Sequence, residues 1–221
     1  MYSFENMSEY FIPTKTLKEY QIDGNMMAIH HLIRYQWVTE FLKDITPNTI
    51  IDMACGAGYG TYQVGKELPY ATVVGIDYDS DAIDYARRHF RLPNVNYLVG
   101  NVLEWEFGDY DCVISFDTIE HLSHREIMME NIVNHVSTCL ILSTPCGHNI
   151  DIFSPEWSDH KIEYSAASLY NFLSRYFRKI IRPECDDFPH LEAFYMIDYL
   201  LRLNPVICYD PIRILNNPYR N

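Results

Sequence analysis

The sequence lacks the features that mark an exported or membrane-spanning protein. No apolar run approaches the about 18 residues that a transmembrane helix needs. Residues 1–13 contain no Lys or Arg, whereas a signal peptide begins with a basic segment. The six cysteines are spread along the chain without a C-x-x-C pair, which argues against a disulfide framework or a zinc site. We therefore expect a soluble cytoplasmic protein with reduced thiols.

Basic residues are also scarce. The chain has 17 Lys and Arg against 30 Asp and Glu, which gives a formal net charge of −13. A surface of this sign repels phosphate backbones, so nucleic acid is not an expected partner. Glycine and proline are few, at 9 and 11 residues, while 48% of the 221 residues are apolar. This composition predicts one main folded core rather than a disordered or collagen-like chain.

Apolar runs of strand length alternate with segments of helical period, a pattern typical of a parallel sheet covered by helices. The predicted strands cover residues 49–54, 71–77, 95–99, 111–116, 138–143, 178–182 and 194–200. The predicted helices cover residues 25–44 and 165–176, and two more begin near residues 80 and 123. The helix near residue 123 is predicted from a capping box, Ser123-His-Arg-Glu126. Residues 1–24 are interpreted as an N-terminal lid segment, and residues 25–221 as the main domain with an insertion at about 146–164.

A glycine-rich segment, Asp52-Met-Ala-Cys-Gly56-Ala-Gly58-Tyr-Gly60, follows the first predicted strand. Glycines at such a turn let a ligand approach the backbone closely. A dinucleotide fingerprint needs a third glycine where Thr61 stands, and a carboxylate at position 52 would repel a diphosphate. A second acid, Asp77, ends the next predicted strand, where a carboxylate can accept both ribose hydroxyls. The pattern predicts a nucleoside ligand that carries a positive charge and no phosphate.

That specification describes S-adenosylmethionine, and the sequence resembles the class I methyltransferases over roughly residues 29–176. The motifs that carry the resemblance are Asp52-x-x-x-Gly56-x-Gly58, Val74-Gly-Ile-Asp77-Tyr78, Gly100-Asn101-Val102 and Asp109-Tyr-Asp-Cys-Val-Ile-Ser-Phe116. The resemblance implies an α/β fold with a Rossmann-like methyltransferase sheet. That sheet is mostly parallel with an antiparallel last strand, and it has helices on both faces.

The resemblance also implies which side chains meet the cofactor. Asp52 would hold the methionine amino group, and Asp77 would bind the ribose. Tyr78 and Val102 would flank the adenine, and Asn101, where many relatives have Asp, would reach its amino group. The full set of implied cofactor residues is Arg34, Tyr35, Asp52, Ala54, Cys55, Gly56, Gly58, Asp77, Tyr78, Asn101, Val102 and Phe116.

His31, Arg34 and Tyr35 share one face of the predicted helix over residues 25–44 because they are spaced at i, i+3 and i+4. They could close over the methionine end of the cofactor. A structural hydrogen-bonded cluster explains the same spacing equally well, and both interpretations stay open.

Asp117-x-x-Glu120-His121 follows the fourth predicted strand, where a methyl acceptor would meet the sulfonium. Glu120, His121 and His160 are the predicted catalytic residues, and His121 would act as an acid/base group on a hydroxyl acceptor. The small-RNA 2′-O-methyltransferases use a similar E-x-x-E-H and a distant His to hold a metal. The corresponding site here would be Asp117, Glu120, His121 and His160. Asp117 departs from that pattern and the net charge argues against RNA, so we predict no metal.

The predicted function is methyl transfer from S-adenosylmethionine to a small organic acceptor, with S-adenosylhomocysteine as the product. A hydroxyl acceptor such as a sugar, lipid or secondary metabolite is favoured, because Ser143-Thr-Pro145 and the Glu-His motif resemble a bacterial branch with such substrates. The alternative is a catalytically silent, cofactor-binding regulatory subunit. A metal-dependent RNA 2′-O-methyltransferase and an NAD(P)-dependent enzyme are less favoured. The chain is expected to act as a monomer or homodimer.

Overall fold

A computed structural model of the protein describes residues 10–145, 151–153, 159–182 and 206–212. The chain divides into two compact units, Met1–Val102 and Leu103–Asn221. The proposed boundary at residue 24 and the insertion at 146–164 stay predictions, and part of each segment lies outside the described residues. Among the residues that the structure describes, no helix is long and apolar enough to cross a bilayer.

The N-terminal unit is built from βα repeats. Its helices are α1 (Leu17–Asp23), α2 (Met26–Ile45), α3 (Tyr59–Glu67) and α4 (Ser80–His89). Its strands are β1 (Thr49–Met53), β2 (Thr72–Asp77) and β3 (Val95–Val99). The three strands are parallel in the order β3-β2-β1, with Ile51 opposite Val74 and Val74 opposite Asn96. Since all three run in one direction, β1 and β2 present their carboxyl ends at the same edge.

Local signals explain where the first helices begin and end. Thr16 and Glu19 form a capping box that opens α1, and Gly24 in a left-handed conformation ends that helix. Asn25 then caps α2 by accepting a hydrogen bond from the backbone N–H of Ala28. The sequence analysis predicted α2 but no helix before it, so α1 is an addition to the predicted lid segment.

The described residues of the C-terminal unit form four strands. They are β4 (Tyr110–Phe116), β5 (Val136–Ser143), β6 (Phe177–Ile181) and β7 (Val206–Pro211). Its helices are α5 (Arg125–His135) and α6 (Ala166–Leu173), with a 3-10 turn at Ile119–His121. β4 and β5 are parallel, whereas β7 runs antiparallel to both β5 and β6, between which it lies. The predicted mostly parallel fold with an antiparallel last strand is confirmed.

Two details differ from the prediction. The capping box at Ser123 is wrong, because α5 begins at Arg125 and its N-cap, His124, makes no side-chain capping bond. β7 was not predicted, since its residues 206–211 show neither clear alternation nor a long apolar run. The strand predicted at residues 194–200 lies outside the described residues.

Candidate functional site

The turn between β1 and α3 has an unusual backbone. Left-handed conformations occur at Ala54, Gly56 and Gly58. The backbone N–H of Cys55 donates to the carbonyl of Ile76 at 2.9 Å, and that of Gly56 donates to Oδ2 of Asp77 at 2.8 Å. These bonds hold the glycine turn against the carboxyl end of β2, as the order of the motifs predicted.

The glycines of this turn serve different purposes. A Cβ at Gly58 would lie 2.5 Å from the Cβ of Ala86 and 2.7 Å from the ring of Tyr97, so packing against α4 and β3 already requires glycine there. A Cβ at Gly56 would instead meet the Tyr10 ring, at 3.0 Å. Gly56 is therefore the better candidate for a surface on which a ligand lies.

Asp52 is fully buried near the end of β1. Both carboxylate oxygens accept from the hydroxyl of Tyr35, each at 3.1 Å, and Oδ2 also accepts from the hydroxyl of Thr61 at 2.7 Å. Burial raises the pKa of Asp52 to about 7, although both hydrogen bonds oppose the shift. Thr61, which breaks the dinucleotide fingerprint, thus has a specific partner in the first acid.

Gly60 makes this arrangement possible. A Cβ on Gly60 would lie 2.1 to 2.3 Å from atoms of the Tyr35 ring, which is closer than any side chain can approach. The Tyr35 ring also packs edge-on against Tyr59, with 5.3 Å between centroids. The sequence analysis assigned no role to Gly60 or to the Thr61 hydroxyl. The only sequence signal for this hydrogen bond was that Thr61 stands at the third glycine position of the dinucleotide fingerprint, near Asp52.

The three residues predicted to share a face of α2 make different hydrogen bonds. Arg34 is buried, and its Nη2 lies 3.0 Å from Nδ1 of His31. Tyr35 instead reaches Asp52. All three residues lie on α2, and the charge of Arg34 also acts on the Tyr35 phenol, where it opposes the rise in pKa caused by burial. Their closure over the cofactor stays a prediction.

Asp77, at the end of β2, is also buried and held by backbone groups. Its Oδ2 accepts from Gly56 and its Oδ1 accepts from the N–H of Asp79 at 3.0 Å. Burial raises the pKa of Asp77, and these backbone hydrogen bonds oppose the shift. The next residue, Tyr78, is 76% exposed, whereas Val102 is buried and Asn101 is exposed. An oriented carboxylate thus stands beside an aromatic ring that is open to solvent.

The C-terminal unit places a second set of predicted residues just after β4. Phe116 ends this strand and is buried, and Asp117 follows with a left-handed φ of 49°. Glu120 is fully buried on the 3-10 turn, and its Oε2 accepts from the hydroxyl of Thr144 at 2.9 Å. Glu120 and His121 therefore lie on a 3-10 turn that begins beyond Asp117.

Glu120 and His121, which are neighbours in sequence, come together with the distant His160. One ligand atom from each lies within 4.8 Å of the others, and Asp117 is not part of this group. The backbone N–H of Lys161 donates to the carbonyl of Glu120 at 2.6 Å, which ties the later segment to the turn. Nδ1 of His160 lies 2.9 Å from Oε1 of Glu163. A carboxylate that binds one ring nitrogen orients the imidazole, whether the other nitrogen transfers a proton or binds a metal.

His121 is exposed, yet the protein packed around its ring and the nearby His160 lower its pKa. A hydrogen bond to the backbone of Asp159 and the charge of Asp117 oppose the shift. Lowering the pKa below the ordinary value of about 6.5 favours the neutral imidazole at pH 7. The geometry and protonation state suit a group that accepts a proton.

The chain is similar to proteins of one enzyme class. Residues 50–138 match the family described as "Methyltransferase domain". The malonyl-[acyl-carrier protein] O-methyltransferase of Bacillus cereus is 26% identical over 101 residues, which cover 45% of this chain and 38% of that protein. The chain spans less than half the length of the curated relatives that it matches.

Solved structures share the fold at low sequence identity. The CMeT domain of the citrinin polyketide synthase has a TM-score of 0.63 and 16% identity, and the match covers 82% of this chain and 53% of that chain. Magnesium protoporphyrin IX methyltransferase from Synechocystis PCC 6803, solved with bound SAM, has a TM-score of 0.57 and 15% identity, covering 79% and 78%. The solved structures thus share the fold, and over residues 50–138 the chain is similar to the S-adenosylmethionine-dependent methyltransferases.

Proposed function

We propose that the protein transfers a methyl group from S-adenosylmethionine to a small organic acceptor. The observation that carries the proposal is the Asp77 carboxylate, which the backbone N–H groups of Gly56 and Asp79 orient beside the glycine turn. When bound, the cofactor supplies a methyl group on a sulfonium. The carbon–sulfur electron pair stays on sulfur as the acceptor forms its bond to that methyl carbon.

The residues of the N-terminal unit fit this cofactor. Gly56 presents backbone without a side chain, and Asp77 offers oxygens that can accept from ribose hydroxyls. The exposed ring of Tyr78 follows directly and would stack on adenine. The buried acid Asp52 would stabilise the cationic methionine amino group, and Tyr35 and Thr61 hold it in place. The other implied contacts, from Arg34, Ala54, Cys55, Gly58, Asn101, Val102 and Phe116, remain part of the proposal.

In the C-terminal unit we propose that His121 removes the acceptor proton, with Glu120 and His160 as the other catalytic residues. The lowered pKa of His121 supports this role, because the neutral imidazole can accept a proton at pH 7. A hydroxyl acceptor needs such a base, whereas a carboxylate acceptor does not. The proposal therefore favours a hydroxyl on a sugar, lipid or secondary metabolite.

The comparisons support the reaction class rather than one acceptor. The Bacillus cereus relative is named for a malonyl group on an acyl carrier protein, and a structural neighbour is named for magnesium protoporphyrin IX. A silent cofactor-binding subunit remains the alternative, and it would bind the cofactor without turnover. An RNA 2′-O-methyltransferase is disfavoured by the net charge of −13.

We propose acid/base chemistry without a metal at Glu120, His121 and His160, although the same three groups could bind a divalent ion. Exhaustive chelation distinguishes the two mechanisms. Full activity after chelation supports the acid/base mechanism. Activity that disappears with chelator and returns with Mg²⁺, Mn²⁺ or Zn²⁺ would establish these residues as ligands.

The decisive experiment is calorimetric titration of the protein with S-adenosylhomocysteine and, separately, with NAD. We expect S-adenosylhomocysteine to bind and NAD not to bind, and the opposite result would refute the proposal. Transfer of label from S-adenosylmethionine to panels of hydroxyl, carboxylate and amine compounds would then identify the acceptor. Binding without transfer to any panel would favour the silent subunit.

We further propose a cytoplasmic protein that acts as a monomer or homodimer. The free thiols of Cys55, Cys112, Cys139 and Cys208 support a reducing compartment. Sedimentation of the purified protein would establish its oligomeric state.

A further inference from the structure

Tyr10 lies on the surface of the glycine turn. A Cβ at Gly56 would be only 3.0 Å from Cδ1 of the Tyr10 ring, so the ring covers the side of Gly56 from which a side chain is missing. The Tyr10 hydroxyl donates to Oδ2 of Asp79 at 3.0 Å. The ring therefore lies beside the acid-bearing end of β2, between the turn and the first residues after that strand.

The charges around Tyr10 agree with this placement. Burial raises the pKa of its phenol, and the carboxylates of Asp77 and Asp79 raise it further. The phenol consequently stays protonated and remains a hydrogen-bond donor to Asp79. The charge of Asp77 thus acts on the Tyr10 phenol, whose hydrogen bond goes to the neighbouring Asp79.

Residues just after Tyr10 are attached elsewhere. The Phe11 ring stacks on His31 with 4.7 Å between centroids and meets Tyr59 edge-on at 5.3 Å. The backbone N–H of Thr14 donates to the hydroxyl of Tyr20 at 2.9 Å. These contacts anchor the segment to α1, α2 and α3 independently of the Tyr10 ring. The contacts of Phe11 and Thr14 would keep the segment in place if the Tyr10 ring moved.

We propose that Tyr10 is a gate residue that competes with the cofactor for the surface of Gly56. The inference rests on the proposed function, because a cofactor whose ribose binds Asp77 must lie against the same glycine backbone. Two groups cannot occupy this surface at once, so the Tyr10 ring moves away and its bond to Asp79 breaks when the cofactor binds. Breaking these contacts lowers the apparent affinity.

The test measures S-adenosylhomocysteine affinity by calorimetry in the wild type and in Tyr10→Ala, Tyr10→Phe and Tyr70→Ala variants. The Tyr10→Ala variant has neither the ring contact nor the hydrogen bond to Asp79. It should therefore bind S-adenosylhomocysteine about three- to tenfold more tightly than the wild type does. Tyr10→Phe keeps the ring but loses the bond to Asp79, so a smaller increase is expected. Tyr70→Ala is the matched control. Tyr70 is exposed between α3 and β2, so this substitution should leave the affinity for S-adenosylhomocysteine unchanged.

The outcomes separate this inference from the function on which it rests. If the wild type binds and Tyr10→Ala binds equally or more weakly, the gate is refuted and the cofactor assignment stands. If neither protein binds, the cofactor assignment fails and the gate fails with it. As a second measurement, saturating S-adenosylhomocysteine should speed hydrogen exchange in the segment that contains Tyr10, and unchanged or slower exchange would contradict displacement of the ring.

Discussion

The two units hold their proposed functional groups by different means. In the N-terminal unit the Asp77 carboxylate accepts bonds from the backbone of the adjacent turn and of the next helix cap, so its orientation follows from the strand–turn geometry. In the C-terminal unit Glu120 and His160 meet because the backbone N–H of Lys161 binds the carbonyl of Glu120. The proposed ribose-binding carboxylate is thus held by backbone groups beside its own strand, and the proposed catalytic groups by a contact between distant segments.

Burial disfavours the charged form of a proposed functional group in each unit. It raises the pKa of Asp52 to about 7 and lowers that of His121, so both groups favour their neutral forms. The consequences differ, because a neutral imidazole is ready to accept a proton, whereas the proposed role of Asp52 requires the charged carboxylate beside a ligand cation. Predictions that alter one unit at a time can sharpen this contrast or refute it.

The largest effect is expected in the C-terminal unit. His121→Ala should lower kcat about 10²- to 10⁴-fold, because a proton acceptor for the hydroxyl is lost. S-adenosylhomocysteine affinity should be retained, since the proposed binding acids are unaltered. The wild-type rate should also fall at low pH as the imidazole protonates.

A matched control for this variant is His124→Ala. His124 is exposed at the start of α5 and makes no capping bond through its side chain. Its removal should leave kcat near the wild-type value. Equal losses in the two variants would indicate a general effect of histidine removal on the unit and would contradict a specific proton transfer at His121.

The next effect concerns binding. Asp77→Ala should weaken S-adenosylhomocysteine binding by roughly a hundredfold or more, because two charge-assisted ribose bonds of about 1.5–3 kcal/mol each are lost. Calorimetry measures the change, and circular dichroism checks that the turn bonded to Asp77 still folds. Asp44→Ala, at an exposed position in the last turn of α2, is the control. Unchanged affinity in Asp77→Ala would refute the assignment of the ribose site.

The same contrast explains what could be predicted from the sequence. β1, the glycine turn, α3 and β2 follow one another, and successive strands of a parallel sheet are usually neighbours. The proximity of Gly56 and Asp77 therefore followed from element order. The Tyr35–Asp52 bond could not be foreseen, because it depends on how α2 packs over Gly60. β7 was missed for a related reason, since its pairing between β5 and β6 is set by partners distant in sequence.

A smaller effect should reveal the packing beneath Asp52. Gly60→Ala places a methyl group where the Tyr35 ring lies, so it should cost about 1–3 kcal/mol of unfolding free energy. In a Tyr35→Ala background the clash disappears, and the same substitution should cost much less. Denaturant unfolding of the four proteins in this cycle gives the coupling energy. Additive costs would show that Gly60 and Tyr35 are not in contact.

The smallest effect, counted per pH unit, is the change of unfolding free energy with pH. It should have opposite signs for Asp52 and His121, which lie in different units. Asp52 titrates near pH 7 when folded but near about 3.9 when unfolded, so the folded state binds the extra proton between these values. The contribution of Asp52 to the free energy of unfolding therefore falls as pH rises from about 4 to about 7, by at most about 1.4 kcal/mol per pH unit. His121 has a lowered pKa in the folded protein, so the unfolded state binds the extra proton. The contribution of His121 to the free energy of unfolding is therefore lost as pH falls below about 6.5. Thermal melts from pH 4 to 8 should show that Asp52→Asn gains stability relative to wild type as pH rises, whereas His121→Ala gains as pH falls. Parallel curves for wild type and Asp52→Asn would mean that this carboxyl is ionised throughout the range, and the electrostatic contrast between the units would then be lost.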